Sequence, residues 1–216
     1  RLSGHPLIER RSIFHALNQK AIARHHAAYK SKEYDDMNLI VVHMGGGITV
    51  GAHHKGQVID VNNGLDGDGP YTPERSGSLP SGDLACLCFS GKYTLKEVRK
   101  MIKGKGGYVA YLGTNNAQEV NQKARNGDPE AKRIEEGMIY QVAKEIGAMS
   151  AVLKGNVDGI LLTGGIANNT DVVRGIKEMV SYIAEVFVYP GEDEMHALMM
   201  NGLMMHKGFI KPKEYK

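Results

Sequence analysis

Three consecutive glycines, Gly45, Gly46 and Gly47, follow His43 and separate two apolar runs. Glycines in a turn between strands allow backbone N–H groups to point outward without interference from a Cβ atom, and such a nest of N–H groups binds phosphate oxygens. A plain glycine hairpin is the structural alternative, but ordinary tight hairpins need only one or two glycines. The triple glycine beside a histidine therefore favours a phosphate-binding turn.

A second candidate is the segment in which Gly164 and Gly165 end an apolar run and precede Ile166 and Asn168. A strand that ends in a glycine pair before a helix brings an anion or nucleotide close to the helix N-terminus, where N–H groups and the helix dipole favour it. The segment does not match the Walker pattern or a dinucleotide fingerprint. From these residues alone, a nucleotide-binding turn and a packing turn are about equally good interpretations.

The elements that must position these turns follow a mixed α/β pattern. Short β-branched runs indicate strands at 39–43, 48–52 and 57–61, which form an antiparallel meander followed by a loop at 62–81. Capping signals at Thr94–Glu97, Asn116–Glu119 and Asp128-Pro129 start helices. A strand at 158–163, a helix from about 171, a strand at 186–189 and a helix at 193–206 complete the order βββ-α-βα-βα.

The start of the first helix stays open in the sequence. Residues 6–32 have mostly helical spacing, although Asn18 could equally cap a helix that begins late and leaves 10–15 extended. Histidine pairs such as His25-His26 and His53-His54 are expected at the surface, and Met199, Met200, Met204 and Met205 are expected in a helix core.

The composition argues against several classes of protein. A chain of 216 residues with 42% hydrophobic and 24% charged residues is typical of a soluble globular protein of one large or two small domains. Its net charge of +3 is spread out, without a dense basic block, and no apolar run could span a membrane, so neither nucleic acid nor membrane is expected as a partner. Only Cys86 and Cys88 are present, which favours a reducing cytoplasm.

Both glycine turns together resemble the paired motifs of the actin-like ATPase and kinase superfamily, in which a glycine hairpin holds phosphates and a strand-Gly-Gly-helix element holds adenosine. With the flanking segments, the chain resembles the butyrate kinases of the acetate and butyrate kinase family along essentially its whole length. The segments that carry this resemblance, in the family's order, are 10–20 (RRSIFHALNQK), 61–63 (VNN), 73–77 (PERSG), 111–115 (YLGTN) and 189–194 (YPGEDE).

The resemblance implies an α/β fold of the actin-like ATPase, or ribonuclease H-like, type with a mixed sheet. It also implies that residues 1–216 are the C-terminal nucleotide-binding domain of an acid kinase. The sequence opens on Arg1 without a methionine, and we expect the N-terminal companion domain, with its own phosphate-binding hairpin, to be absent from it. The last helix, near 193–206, could then pack toward that missing domain.

Family membership would give several residues a role. Arg75 matches the arginine that acid kinases place at the phosphoryl-transfer site, where a permanently charged fork suits a phosphate beside a carboxylate. His15 matches a histidine thought to hydrogen-bond the transferring phosphoryl group, and His43 would lie near the same phosphates. Without the resemblance, we would interpret Arg75 as a solvated surface charge and each histidine as structural.

The resemblance further assigns nucleotide binding to both glycine turns and metal binding to the start of the last helix. The residues implied in nucleotide binding are His43, Gly45, Gly46, Gly47, Gly164, Gly165, Ile166 and Asn168. Asp193 and Glu194 match an acidic pair near Mg²⁺, a hard cation that prefers carboxylate oxygens. Acidic residues in a first helical turn also suit the helix dipole without any metal.

The function implied is reversible phosphoryl transfer from ATP to butanoate, giving butanoyl phosphate and ADP, in a cytoplasmic homodimer or higher oligomer. Acetate, propionate or a branched-chain acid are alternative substrates. A non-catalytic nucleotide-binding module is a second alternative, because Asn116 and Gln118 replace charged residues that relatives commonly carry. The 216 residues alone are expected to have little or no kinase activity.

Overall fold

The computed structural model describes residues 2–191 and 194–208. A five-stranded sheet of order β3-β2-β1-β4-β5 lies at its centre. The strands are β1 (Asn38–Met44), β2 (Ile48–His54), β3 (Gln57–Val61), β4 (Gly159–Gly164) and β5 (Val186–Pro190). Strands β1, β2 and β3 are antiparallel neighbours, whereas β4 pairs in parallel with both β1 and β5. The predicted mixed sheet, with a meander followed by βα units, is confirmed.

Eight helices accompany the sheet in the part of the chain that is described, together with 3₁₀ turns at Tyr34–Asp36 and Gly165–Asn168. They are α1 (Ala16–Tyr29), α2 (Ser81–Cys88), α3 (Leu95–Ile102), α4 (Gly107–Leu112), α5 (Ala117–Arg125), α6 (Pro129–Val152), α7 (Thr170–Val180) and α8 (Glu194–His206). None of the described helices is long and apolar enough to cross a bilayer.

All three capping signals begin their helices as predicted. Thr94 and Glu97 form a complete capping box at α3, and Asp128 caps α6 with Pro129 in the first turn. Asn116 caps α5 by accepting from two backbone N–H groups. Glu119, three residues after this cap, does not complete a capping box; its carboxylate accepts from the Thr114 hydroxyl and pairs with Lys123.

Strand alternation produces a three-layer arrangement. On one face of the sheet, Ile40, Val42 and Met44 join a core with α5, α6 and α7. On the other face, Leu39 and Val41 join a smaller cluster with α1. These strand residues are fully buried. Burying one such aliphatic side chain stabilises the folded state by about 1.5–3 kcal/mol. The sheet is therefore held on both faces, and β1 runs through its middle.

Helix α1 begins late, as the second of the two interpretations predicted. Residues 9–15 have no regular secondary structure, and the N-cap is His15 rather than Asn18. Asn18 is not available as a cap because its side chain is buried and accepts a hydrogen bond from His43.

Two expectations about side-chain placement are wrong in part. His26 and His53 are fully buried, while His25 and His54 are exposed; successive residues point in different directions, so one member of each pair faces the interior. Met199 and Met205 are 58% and 43% exposed rather than in a core, although α8 contacts α1.

Candidate functional site

The turn between β1 and β2 is the predicted phosphate-binding turn. Gly45 N–H donates to Gly47 O across the turn at 3.0 Å, and the Thr72 hydroxyl donates to Gly46 O at 2.7 Å. None of the three glycines has a positive φ. A Cβ on Gly47 would overlap Nη1 of Arg75 and lie 2.5 Å from its Cζ, so a side chain at 47 would displace the guanidinium.

Arg75 therefore lies against the glycine turn, as its predicted role requires. Its backbone N–H donates to the Thr72 hydroxyl at 3.0 Å, and its carbonyl accepts from Thr72 N–H at 3.0 Å. Its Nη1 donates to Gly64 O. Burial lowers the pKa of Arg75 from its usual value, while the Glu74 and Asp66 carboxylates raise it. The guanidinium keeps its charge at physiological pH.

The glycine-rich segment before α4 holds the Arg75 loop from outside. Gly104 N–H and Gly106 N–H both donate to Glu74 O, at 2.7 and 3.2 Å. Gly107 has a φ of +56°, and a Cβ on it would overlap Thr72 O. The sequence shows these glycines, but their partner loop is some 30 residues away in the chain, so their role could not be deduced from it.

His15 and His43 meet beside the turn. Their rings stack with centroids 3.8 Å apart and an interplanar angle of 21°. Nδ1 of His15 is 3.0 Å from the Thr49 hydroxyl, and Nδ1 of His43 is 3.0 Å from Asn18 Oδ1. Burial, and to a smaller extent the positive charge of Arg75, lowers the pKa of His43 to about 4. His43 is thus neutral near pH 7, which limits charge repulsion with Arg75.

The second glycine bend touches the first. Gly164 ends β4 with a φ of +90°, and a Cβ on it would overlap Met44 O and lie 2.7 Å from Met44 C. Its N–H and carbonyl both pair with Gly191 at 3.1 Å. Since β1 and β4 are parallel, their carboxyl ends meet at one edge of the sheet, where ligands of open α/β sheets bind.

Residues after Gly164 differ in what they present to solvent. Gly165 is exposed, with open space where a Cβ would point. Asn168 is exposed and donates from Nδ2 to Gly165 O at 3.0 Å. Ile166 is 6% exposed and its side chain packs in the core, so only its backbone could face a ligand. A cleft of about 520 Å³ opens beside Asn168, between α7 and Pro190.

Residues that the sequence did not single out fix this second bend. Asn169 caps α7 through its Oδ1, and its Nδ2 donates to Glu135 Oε1 at 3.2 Å. Glu135 is 6% exposed and also accepts from Asn121 at 3.1 Å. Burial raises the pKa of Glu135 above its ordinary value. A buried acidic residue on the apolar face of a long helix is the sequence signal that could have identified it.

The predicted metal ligands are Asp193 and Glu194, at the start of the predicted last helix. Asp193 lies outside the described residues, and Glu194 begins α8 without a described side chain. Across residues 2–191 and 194–208, no three His, Cys, Asp or Glu side chains come together as a metal site. Glu74 is the carboxylate beside the first turn: its Cδ lies 3.7 Å from the Cβ position of Gly46, and its Oε1 accepts from Asn115 at 2.6 Å.

Comparison with known proteins gives a consistent result. The model of the acetokinase family matches residues 5–187. Butyrate kinase 2 and butyrate kinase 1 of Clostridium acetobutylicum are 56% and 57% identical to the chain over all 216 residues. The chain spans 61% of the length of each of these relatives.

Solved structures share the fold at low sequence identity. The acetate kinase of Porphyromonas gingivalis superposes with a TM-score of 0.81 at 20% identity, covering 91% of this chain and 56% of that one. A propionate kinase of Francisella tularensis gives 0.75 at 22% identity, covering 85% and 53%. These structures confirm the predicted actin-like ATPase fold.

Proposed function

Because the chain belongs to the acetokinase family, we propose that the protein containing it transfers a phosphoryl group reversibly between ATP and butanoate. The observation that carries this proposal is the contact of the Arg75 guanidinium with the turn at Gly47, beside the stacked rings of His15 and His43. The identity of 56–57% to two butyrate kinases favours butanoate as the acid.

The chemistry asks for electrostatics rather than acid–base catalysis. A carboxylate is already ionised at neutral pH, so its oxygen can attack the γ-phosphorus directly, forming the acyl phosphate while the bond to the β–γ bridging oxygen breaks and ADP leaves. Two anions must be brought into line and the charge of the transition state dispersed. Arg75, His15 and the backbone N–H groups of Gly46 and Gly47 supply positive potential and hydrogen-bond donors for this purpose, whereas Gly45 N–H already donates to Gly47 O within the turn.

The second bend would bind the nucleoside. In this bend Gly165 and Asn168 are exposed beside the buried Gly164 and Ile166, and Asn168 lines the cleft of about 520 Å³, which is large enough for an adenosine. Gly164 approaches the backbone of Met44, so this bend lies next to the turn at Gly45, Gly46 and Gly47. A nucleotide could thus reach from the cleft to the phosphate-binding turn.

Mg²⁺ would lower the charge of the triphosphate when bound. It takes one or two protein carboxylates and completes its shell with phosphate oxygens and water, so it needs no cluster of three acidic side chains. Asp193 and Glu194 remain the proposed ligands. We further propose that the protein works in the cytoplasm as a homodimer or larger oligomer, and that the 216 residues alone are inactive.

A non-catalytic module is the weaker interpretation, because its support is limited to the loss of charge at Asn116 and Gln118. Asn116 is the N-cap of α5, and its amide oxygen accepts from Gln118 N–H and Glu119 N–H at 3.1 Å. Asn and Asp cap helices about equally well, so the cap at 116 is kept without the charge, and the loss of charge at 116 and 118 has no structural explanation. A pure nucleotide binder would also have no use for Arg75.

The test is an acyl phosphate assay on the complete gene product. Butanoate, acetate and propionate are compared at equal concentrations with ATP and Mg²⁺, and we expect the highest kcat/KM with butanoate. Arg75→Ala should lower kcat by about 10²–10³, the loss seen when one transition-state donor is removed. Arg133→Ala, on an exposed face of α6, is the matched control. Near-normal turnover of Arg75→Ala would remove Arg75 from the mechanism.

A further inference from the structure

A series of buried hydrogen bonds runs from the interior to His15. The Tyr34 hydroxyl is 2.7 Å from His53 Nδ1, and His53 Nε2 is 3.0 Å from Gln19 Oε1. Gln19 Nε2 is 2.9 Å from Thr49 Oγ1, which is 3.0 Å from His15 Nδ1. Tyr34, His53, Gln19 and Thr49 are between 0% and 8% exposed. The series therefore ends at a ring that lies in the candidate site.

The direction of donation in this series is fixed by the main chain. Gln19 Nε2 also lies 3.2 Å from Thr49 O, a carbonyl that can only accept, so the amide must present its NH₂ group to Thr49 and its oxygen to His53. His53 then donates from Nε2, and its Nδ1 accepts from the Tyr34 hydroxyl. Burial lowers the pKa of His53 to about 3, which agrees with a neutral ring.

The same argument continues to the last member. The Thr49 hydroxyl accepts from Gln19, and the other polar partner described for it is His15 Nδ1. A buried hydroxyl proton without an acceptor costs about 1–3 kcal/mol. The Thr49 proton therefore points at His15 Nδ1, which acts as an acceptor.

The fold makes space for this arrangement. A Cβ on Gly51 would overlap Gln19 Oε1 and lie 3.3 Å from His53 Nε2. Gly51 has no positive φ, so its own backbone does not require glycine. Because Gly51 has no side chain in the middle of β2, the amide of Gln19 fits between α1 and the sheet.

We propose that Gln19 and Thr49 are positioning residues which hold His15 as the neutral tautomer with its proton on Nε2, so that the ring offers an N–H donor to a phosphoryl oxygen. The target of that donor rests on the proposed function, whereas the tautomer does not. Neither Gln19 nor Thr49 touches the reacting atoms. Tyr34 and His53 complete the series by fixing the orientation of the Gln19 amide.

The test reads the tautomer directly, by ¹H–¹⁵N NMR correlation of the histidine rings in the complete gene product. In the wild type we expect a protonated Nε2 and an unprotonated Nδ1 on His15. In Gln19→Glu, a carboxylate oxygen faces Thr49 in place of the NH₂ group and takes the Thr49 proton. His15 Nδ1 should then become protonated, either alone or in an imidazolium. Gln122→Glu, the same change on an exposed part of α5, should leave His15 unchanged.

Thr49→Val covers the case in which Gln19→Glu does not fold. It keeps the side-chain shape, removes the hydroxyl, and should shift the His15 Nδ1 resonance to that of a nitrogen without a hydrogen bond; Thr49→Ser should restore it. In steady-state kinetics, Thr49→Val should lower kcat by about tenfold or more, but by no more than the loss seen when one transition-state donor is removed. The KM for ATP should change less than twofold. A wild-type Nδ1–H tautomer, or a His15 spectrum unchanged in both variants, would overturn the inference.

The two proposals can fail separately. If the gene product has no kinase activity but His15 shows the expected spectra, the proposed function is wrong and the tautomer assignment stands. If the tautomer changes as expected in Gln19→Glu while kcat remains normal, the tautomer does not serve catalysis and the positioning role is wrong.

Discussion

The guanidinium of Arg75 occupies the space in which a side chain on Gly47 would begin. Gly47→Ala should therefore displace Arg75 and lower kcat by about 10²–10³, similar to the loss of one transition-state donor. Gly82→Ala in α2 is the matched control, because nothing lies within 4 Å of the Cβ that it would add. Steady-state kinetics on both variants test this relationship, and equal losses at the two positions would contradict it.

The segment before α4 offers a test of how the Arg75 loop is supported. Gly107→Ala combines a φ of +56° with an overlap on Thr72 O. Gly113→Ala has a similar φ of +69° but open space around the Cβ. Both pay roughly 1–2 kcal/mol for the left-handed conformation, and Gly107→Ala should lose a further 1–3 kcal/mol or so from overpacking. Urea denaturation measures the difference, and equal stabilities of the two variants would refute the close contact.

Thr72 is 1% exposed and its hydroxyl connects the first turn to the Arg75 loop, so this hydroxyl should contribute to stability. Thr72→Val removes one donor to Gly46 O and one acceptor shared by Glu74 N–H and Arg75 N–H. We expect a loss of about 1–3 kcal/mol in the free energy of unfolding, since buried partners are left unsatisfied.

Thr170→Val serves as the comparison for this change. Thr170 is exposed and its hydroxyl accepts one hydrogen bond, from Arg125. Surface substitutions of this kind change stability by about 0.5 kcal/mol or less. If both threonine variants unfold at the same urea concentration, the bond to Gly46 contributes nothing to stability.

Two buried histidines predict how stability depends on pH. Burial lowers the pKa of His43 to about 4 and that of His53 to about 3 from 6.5. Below about pH 6.5 the unfolded chain binds protons that the folded chain does not, so stability falls with decreasing pH by roughly 1.4 kcal/mol per pH unit for each such histidine. The loss should continue until the pH reaches the folded pKa.

His53→Gln isolates one of these contributions. The variant should reduce the slope of unfolding free energy against pH between about 6 and 4 by slightly more than half of what the two histidines supply together, because the folded pKa of His53 is the lower of the two. His5→Gln, in the exposed N-terminal segment, should leave the slope as it is. An unaltered slope in His53→Gln would mean that His53 is protonated in the folded protein.

The strands and the long helix α6 could be predicted because each depends on residues close together in sequence. The resemblance to a kinase family could be seen for the same reason, since short continuous segments carry it. The runs at 39–43 and 57–61 and the cap at Asp128 act locally, and the structure agrees with them. Helices α2 and α4 were not identified individually. They have 8 and 6 residues, too few for a clear period, and no α2 residue is buried.

Much of the site could not be predicted because it depends on contacts between distant segments. Nothing near Gln19 indicates that it will meet Thr49 and His53, and nothing near Thr72 indicates a bond to Gly46. The resemblance implied that Arg75 lies at the phosphoryl-transfer site but not that it contacts Gly47, and a lone arginine in a loop gives no signal of either. The burial of His26 and His53 depends on which way α1 and β2 face, and the sequence pattern around them does not decide this.

The close approach of Gly164 to the main chain of Met44 has a mechanical consequence. Since no side chain separates the two backbones, the bend that would receive a nucleoside and the bend that would receive phosphates form a single stiff platform, in register with each other before any ligand arrives. Nucleotide binding should then cost little conformational entropy at these two bends. Any closing movement during turnover has to come from other parts of the protein moving toward this platform.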